Sequence, residues 1–279
     1  MSRGGNPGEP PAASRFVAPL LPLLVASGCA ALIYELVWFQ LLRQVIGASA
    51  ISLAIVLTSF MGGMCLGSLG FPRWISSAHH PLRIYAYLEA GIGALGIALL
   101  GVLPLVGMLY VAVVGYGPVG ILLRALVCLI CLLPPTILLG ATLPAISRWL
   151  ETTRGGTSRM GLFYTANIVG GVGGCLLAGF FLLRVYDLYV ATFVAVGLNA
   201  AVAALSLALA SRASFDSRAP SALAMPSVYA HRAIYIVIAL SGLASLGAQV
   251  VWTRQSSKPV SVGLLGNGKG DLGGYPTNL

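Results

Sequence analysis

The sequence predicts an all-α integral membrane protein with about seven transmembrane helices, and three observations predict it. Apolar stretches of about 20 residues or longer recur along the chain, each long enough to cross about 30 Å of hydrocarbon. Only 8% of the residues are charged, against about 25% in a soluble domain. Hydrophobic residues make up 58% of the chain and its mean hydropathy is +0.92. A transmembrane barrel would instead show short segments of alternating polarity.

The predicted spans fall at about residues 17–41, 48–70, 84–105, 118–141, 160–182, 188–210 and 232–252. Before the first, "MSRGGNPGEPPAASR" is rich in Gly, Pro and Ser, so residues 1–16 read as a disordered cytoplasmic tail. The apolar run that follows is too long for a signal-peptide core and lacks a small-residue cleavage site. Residues 17–254 form the polytopic domain, and 255–279 a short tail. Two further segments read as short interfacial helices: 145–158, anchored by Trp149, and 105–117 on the opposite side.

Arginines in the short loops orient the chain. Arg3, Arg15, Arg73, Arg83, Arg148, Arg154, Arg159, Arg212, Arg218 and Arg232 fall on one side, and Arg43 and Arg184 on the other. The N-terminus is therefore expected in the cytoplasm. Most of the positive charge behind the net +9 lies in these loop arginines. With no basic stripe carrying interleaved aromatics, no nucleic-acid partner is expected; the expected partner is the lipid bilayer.

Cys29, Cys65, Cys128, Cys131 and Cys175 all lie in apolar runs. "CLIC" (128–131) has Cys-x-x-Cys spacing but neither a second pair nor a nearby His, so it reads as core packing. His79 and His80 share a loop with no other ligand close in sequence. Neither a metal nor a cofactor is expected.

Ionisable groups inside a span are functional candidates. At 1.5 Å per residue, Glu35 lies about 9 Å in from the outer end of span one, and Arg124 of span four is at similar depth. Glu89 of span three and Asn167 of span five belong nearer the cytoplasmic side, and Asn199 of span six near the midplane. Two readings stand side by side. Glu35, Arg124, Glu89 and Asn167 could line a polar pathway, or each could join neighbouring helices as a local hydrogen-bonding group. Gly28 and Ala31 share a helical face with Glu35, which points it inward under either reading.

Glycine spacing predicts close helix contacts at Gly63 with Gly67 and at Gly170 with Gly174. "NIVGGVGGCLLAG" (167–179) is too deep in a span to be a nucleotide fingerprint. Pro134, Pro135 and Pro144 interrupt span four and predict a helix break or kink there, with Thr136 and Thr142 available for the freed carbonyls. "LLGNGKGD" in the tail carries an Asn-Gly hairpin signal.

"SGCAALIYELVW" (27–38) and "SGLASLGAQVVW" (241–252) match at six of twelve positions. Six spans separate them, so both copies cross in the same direction. Parallel six-span repeats are the plan of major-facilitator transporters. The fold expected is a major-facilitator-like first half plus the first helix of a second repeat.

The motifs "SGCAALIYELVW", "FMGGMCLGS", "LPPTILLGATLP" and "YTANIVGGVGGCLLAGFFLL" resemble the membrane half of bacterial spermidine-synthase-like membrane proteins, major-facilitator/spermidine synthase fusions. The resemblance covers about residues 20–254. It implies a bacterial inner-membrane domain, transporter-like for polyamines or another small solute, or else an anchor for an aminopropyltransferase-like soluble domain or partner. "LLGNGKGD" is similar to the hairpin opening that soluble domain. Its catalytic residues are not found in this sequence, so no enzymatic activity is expected of the chain. Trp38-Phe39-Gln40 departs from the family's Trp-x-Arg, which Trp252-Thr253-Arg254 keeps. An inactive product of a shortened gene is the remaining expectation.

Overall fold

The computed structural model describes residues 17–46, 50–75, 79–113, 118–151, 156–212, 236–237, 239–245 and 247–248. Long helices dominate, and no strand occurs among the described residues. They are α1 (Val17–Ile46), α2 (Ala50–Trp74), α3 (Pro81–Val113), α4 (Pro118–Glu151), α5 (Gly156–Leu176), the three-residue α6 (Leu183–Val185) and α7 (Leu188–Arg212). A π-helical turn, Leu177–Leu182, joins α5 to α6. Six helical segments are long and apolar enough to span a membrane: 18–44, 54–73, 81–106, 126–151, 159–185 and 188–212. The chain is thus a multi-pass membrane protein by its helices. Residues 1–224 and 225–279 are separate compact units. The seventh expected span falls in the second, where only helical fragments between 236 and 248 are described. The hairpin tail lies outside the described residues.

Helix starts follow local chemistry. Pro81 and Pro118 open α3 and α4, where a missing N–H costs nothing. The Asp187 carboxylate accepts from the Val190 N–H at 2.8 Å and caps α7. Before it, Tyr186 is extended and ends α6.

Two sequence expectations are corrected. Residues 105–113 continue α3 and 145–151 continue α4, so neither is a separate interfacial helix. Trp149 is 2% exposed, a core residue rather than a surface anchor. Likewise, α4 runs unbroken through Pro134, Pro135 and Pro144. The freed carbonyls there belong to residues four positions earlier, Ile130, Cys131 and Gly140. The threonines bond elsewhere: Thr136 donates to the Leu132 carbonyl at 2.6 Å, and Thr142 to that of Leu139 at 2.7 Å.

Lipid supplies no hydrophobic drive between helices, so contact rests on close packing and hydrogen bonds. The small residues provide the first. On α1 and α5, Gly170 sits on the Val25 carbonyl, Gly174 on that of Cys29, and Gly28 on that of Asn167. These contacts bring the two backbones together over Val25–Cys29 of α1 and Asn167–Gly174 of α5. On α2 and α4, Gly67 meets the Ile137 carbonyl and Gly140 that of Met64. The glycine spacings expected from sequence thus form real contacts. At the ends of α2 and α4, the Arg148 guanidinium donates to the Ile75 carbonyl at 3.3 Å and lies 4.7 Å over the Phe71 ring. A cation suits the C-terminal end of a helix.

The third seam joins α1, α3 and α7. It is flanked by two apolar clusters. One includes Ala30, Tyr34, Trp38, Ile92, Leu99, Ala191 and Ala195. The other includes Leu20, Leu24, Leu82, Tyr85, Val202 and Ala210. On each of the three helices the residues between the clusters include a buried polar side chain: Ser27, Glu89 and Asn199.

A side chain at Gly140 would drive a Cβ into backbone. Gly140→Val should therefore lower stability by about 1–3 kcal/mol, read as an earlier loss of the monodisperse peak after heating in detergent. Gly173→Ala, where open space surrounds the added carbon, should leave that midpoint unchanged.

Candidate functional site

Glu89 is 1% exposed and Ser27 5% exposed. The Ser27 hydroxyl donates to Glu89 Oε1 at 2.5 Å, linking α1 to α3. Asn199 on α7 closes the triangle: its Nδ2 donates to the Glu89 backbone carbonyl at 3.3 Å. Gly93, one turn beyond Glu89, leaves room for the Asn199 side chain.

One tyrosine completes the cluster, and a second lies farther along the same seam. Tyr85, one turn before Glu89, places its hydroxyl beside Ser27 and the carboxylate, without a hydrogen bond of good geometry. Tyr34 stands two turns beyond Ser27, level with Gly96, which is itself two turns beyond Glu89. Its ring packs on Gly96 and stacks on Trp38 with centroids 4.9 Å apart. The hydroxyls of Tyr34 and Tyr85, Trp38 Nε1, Asn199 Oδ1 and Ser206 Oγ are buried without a hydrogen-bond partner.

A carboxylate in this setting is costly. Removing a charge from water costs several kcal/mol unless it is paired and hydrogen-bonded. Among the described residues, Glu89 interacts with hydroxyl groups and no cationic side chain. The arrangement can therefore hold a proton or a cation from outside the bundle.

The other sequence candidates lie apart from this cluster or outside the description. Asn167 sits at the α1–α5 contact, with its carbonyl and Oδ1 against Gly28. Glu35 is half-buried, two turns along α1 from Gly28. Arg124 belongs to α4, but its side chain lies outside the described residues, as does the pairing with Glu35. Of the expected polar residues, the structure brings together Glu89 and Asn199. Sequence reading missed Ser27 and Tyr85 as their neighbours. The signal for Ser27 was its place at the head of the repeated motif.

Cys128 and Cys131 are buried in the first apolar cluster, whereas Cys65 and Cys175 are exposed. No group of three or more His, Cys, Asp or Glu residues able to hold a metal occurs among the described residues. A groove between α2 and α4, lined by Ala54, Ile55, Thr58, Ser59, Leu122, Leu126 and Leu129, is almost wholly apolar. Its Ser59 hydroxyl already donates to the Ile55 carbonyl at 2.8 Å.

No family model, curated protein or solved structure matches the chain.

Ser27→Ala would leave Glu89 Oε1 without its donor. The expected cost is about 1–3 kcal/mol, measured as a lower thermal midpoint in lipid nanodiscs. Asn167→Ala, outside the cluster, provides the comparison for a polar change at a different helix contact.

Proposed function

We propose that this chain is the membrane domain of a transporter-like protein, with the Glu89 cluster as its solute site. The observation that carries the reading is the buried Glu89 carboxylate, hydrogen-bonded by Ser27 across two helices. Stability alone gives no reason to keep a carboxylate there, because an apolar group of similar size is often as stabilising as a buried charged network. Polar residues inside a bundle mark substrate and ion pathways. The small-residue contacts flank a seam of three helices whose separation would admit a solute. In this proposal the chain lies in a bacterial inner membrane with its N-terminus in the cytoplasm, as the loop arginines favour. The chain is, in this proposal, akin to the spermidine-synthase-like membrane proteins, with a major-facilitator-like arrangement, a reading supported by the resemblance of the four motifs quoted above.

Glu89→Gln keeps the shape of the side chain and removes its charge. In proteoliposomes, counterflow of radiolabelled small cations and amines should fall to the protein-free background in this variant. The elution profile and helical circular dichroism should match the parent. Flux equal to the parent's would sink the transport reading and favour an anchoring role.

A further inference from the structure

Resting on the solute-site reading above, we infer that the Glu89 cluster binds one positive charge at a time, so that its solute is a monovalent cation in competition with a proton. The groups facing the site set this limit. On α3 the titratable groups are Glu89 itself and Tyr85; on α1 the facing group is the Ser27 hydroxyl, with Tyr34 two turns farther along, against Gly96. On α7 it is the neutral amide of Asn199. From α4, Leu138 meets α3 at Gly91. Glu35 stands on α1 two turns from Gly28, along the α5 side. Among the described residues, the site therefore presents a single carboxylate.

One carboxylate balances one positive charge. A second charge would remain uncompensated in the membrane interior, at a cost of several kcal/mol. Divalent calcium is ordinarily held by 6–8 oxygens, several of them carboxylate. The unfilled valences here suit a smaller demand. Asn199 Oδ1 lacks a partner, the Tyr85 hydroxyl stands beside the carboxylate with acceptor capacity to spare, and both residues are no more than 1% exposed. They can supply neutral oxygens to a cation whose charge Glu89 balances. The same carboxylate oxygens bind a proton, so proton and cation exclude one another. Taken this way, the site distinguishes a singly charged solute from a polyamine, which brings two or more charges.

The test is calorimetric titration of the full chain in neutral-lipid nanodiscs at matched ionic strength. The probes are sodium chloride, ethylammonium chloride, calcium chloride and putrescine dihydrochloride. At least one monovalent probe should bind one-to-one, more tightly than either divalent probe, and more weakly as the pH falls. Glu89→Gln should weaken that binding by about 30-fold or more, the equivalent of about 2 kcal/mol. Asn199→Asp adds a second carboxylate and should shift preference toward a divalent probe, a gain that mere misfolding would not produce.

Tighter binding of calcium or putrescine to the parent would overturn the inference. So would monovalent binding that neither Glu89→Gln nor pH alters, or an absence of binding by all four probes. Binding without flux would count against the transporter reading and leave this one standing. Flux of a divalent solute would do the reverse.

Discussion

A carboxylate inside a membrane bundle must be satisfied by its own protein, and the packing around Glu89 follows from that requirement. Its hydrogen bond with Ser27 joins α1 to α3, while Asn199 ties α7 to the Glu89 backbone. Successive residues on a helix point about 100° apart. A one-residue rotation of α3 would turn the carboxylate away from Ser27, toward lipid or a neighbouring helix. The apolar clusters above and below are compatible with many rotations, because Leu and Ile have no directional demand. The polar layer between them selects one. A buried polar group that specifies register is the best-attested use of such a costly feature.

The glycine contacts perform complementary work. They bring α1 onto α5 and α2 onto α4 at backbone distance, where van der Waals contact replaces the absent hydrophobic drive. On α1 these duties fall on adjacent residues. Gly28 meets α5, and Ser27 meets α3. The dipeptide thus holds α1 between two neighbours. In the same span as α5, the π-helical turn widens the backbone where Ala178 and Leu182 turn inward. Such turns occur often at functional sites, and this one contacts both α1 and α7.

Sequence patterning revealed the membrane class and the six described spans because those features depend on local composition. The spans match the apolar runs to within a few residues at most ends. The exceptions have a physical cause. At 34 residues, α4 is about 51 Å long, longer than the hydrocarbon layer. Composition changes where the helix leaves the apolar slab, so residues 145–158 looked like a separate interfacial element. The hydrogen-bond ladder continues instead, and the projecting end carries Trp149 into the second apolar cluster. The prolines do not end the helix, for a related reason. Each removes one donor, but neighbouring turns can hold the helix together, as they do across Pro134, Pro135 and Pro144.

By itself, the sequence determined that this chain spans a membrane repeatedly, which helix faces are small, and which polar residues lie at depth. Those properties follow from runs and spacings within single helices. The tertiary structure decided which polar residues meet. Ser27 and Glu89 are 62 residues apart, and Glu89 and Asn199 are 110 apart. Depth arithmetic places side chains along the membrane normal but leaves their azimuth open. Glu35 and Asn167 are as polar as Ser27 and Asn199, yet the rotations of α1 and α5 place Asn167 at a glycine contact and leave Glu35 outside the cluster. Only the packing of α1, α3 and α7 into one seam assembled a site around Glu89.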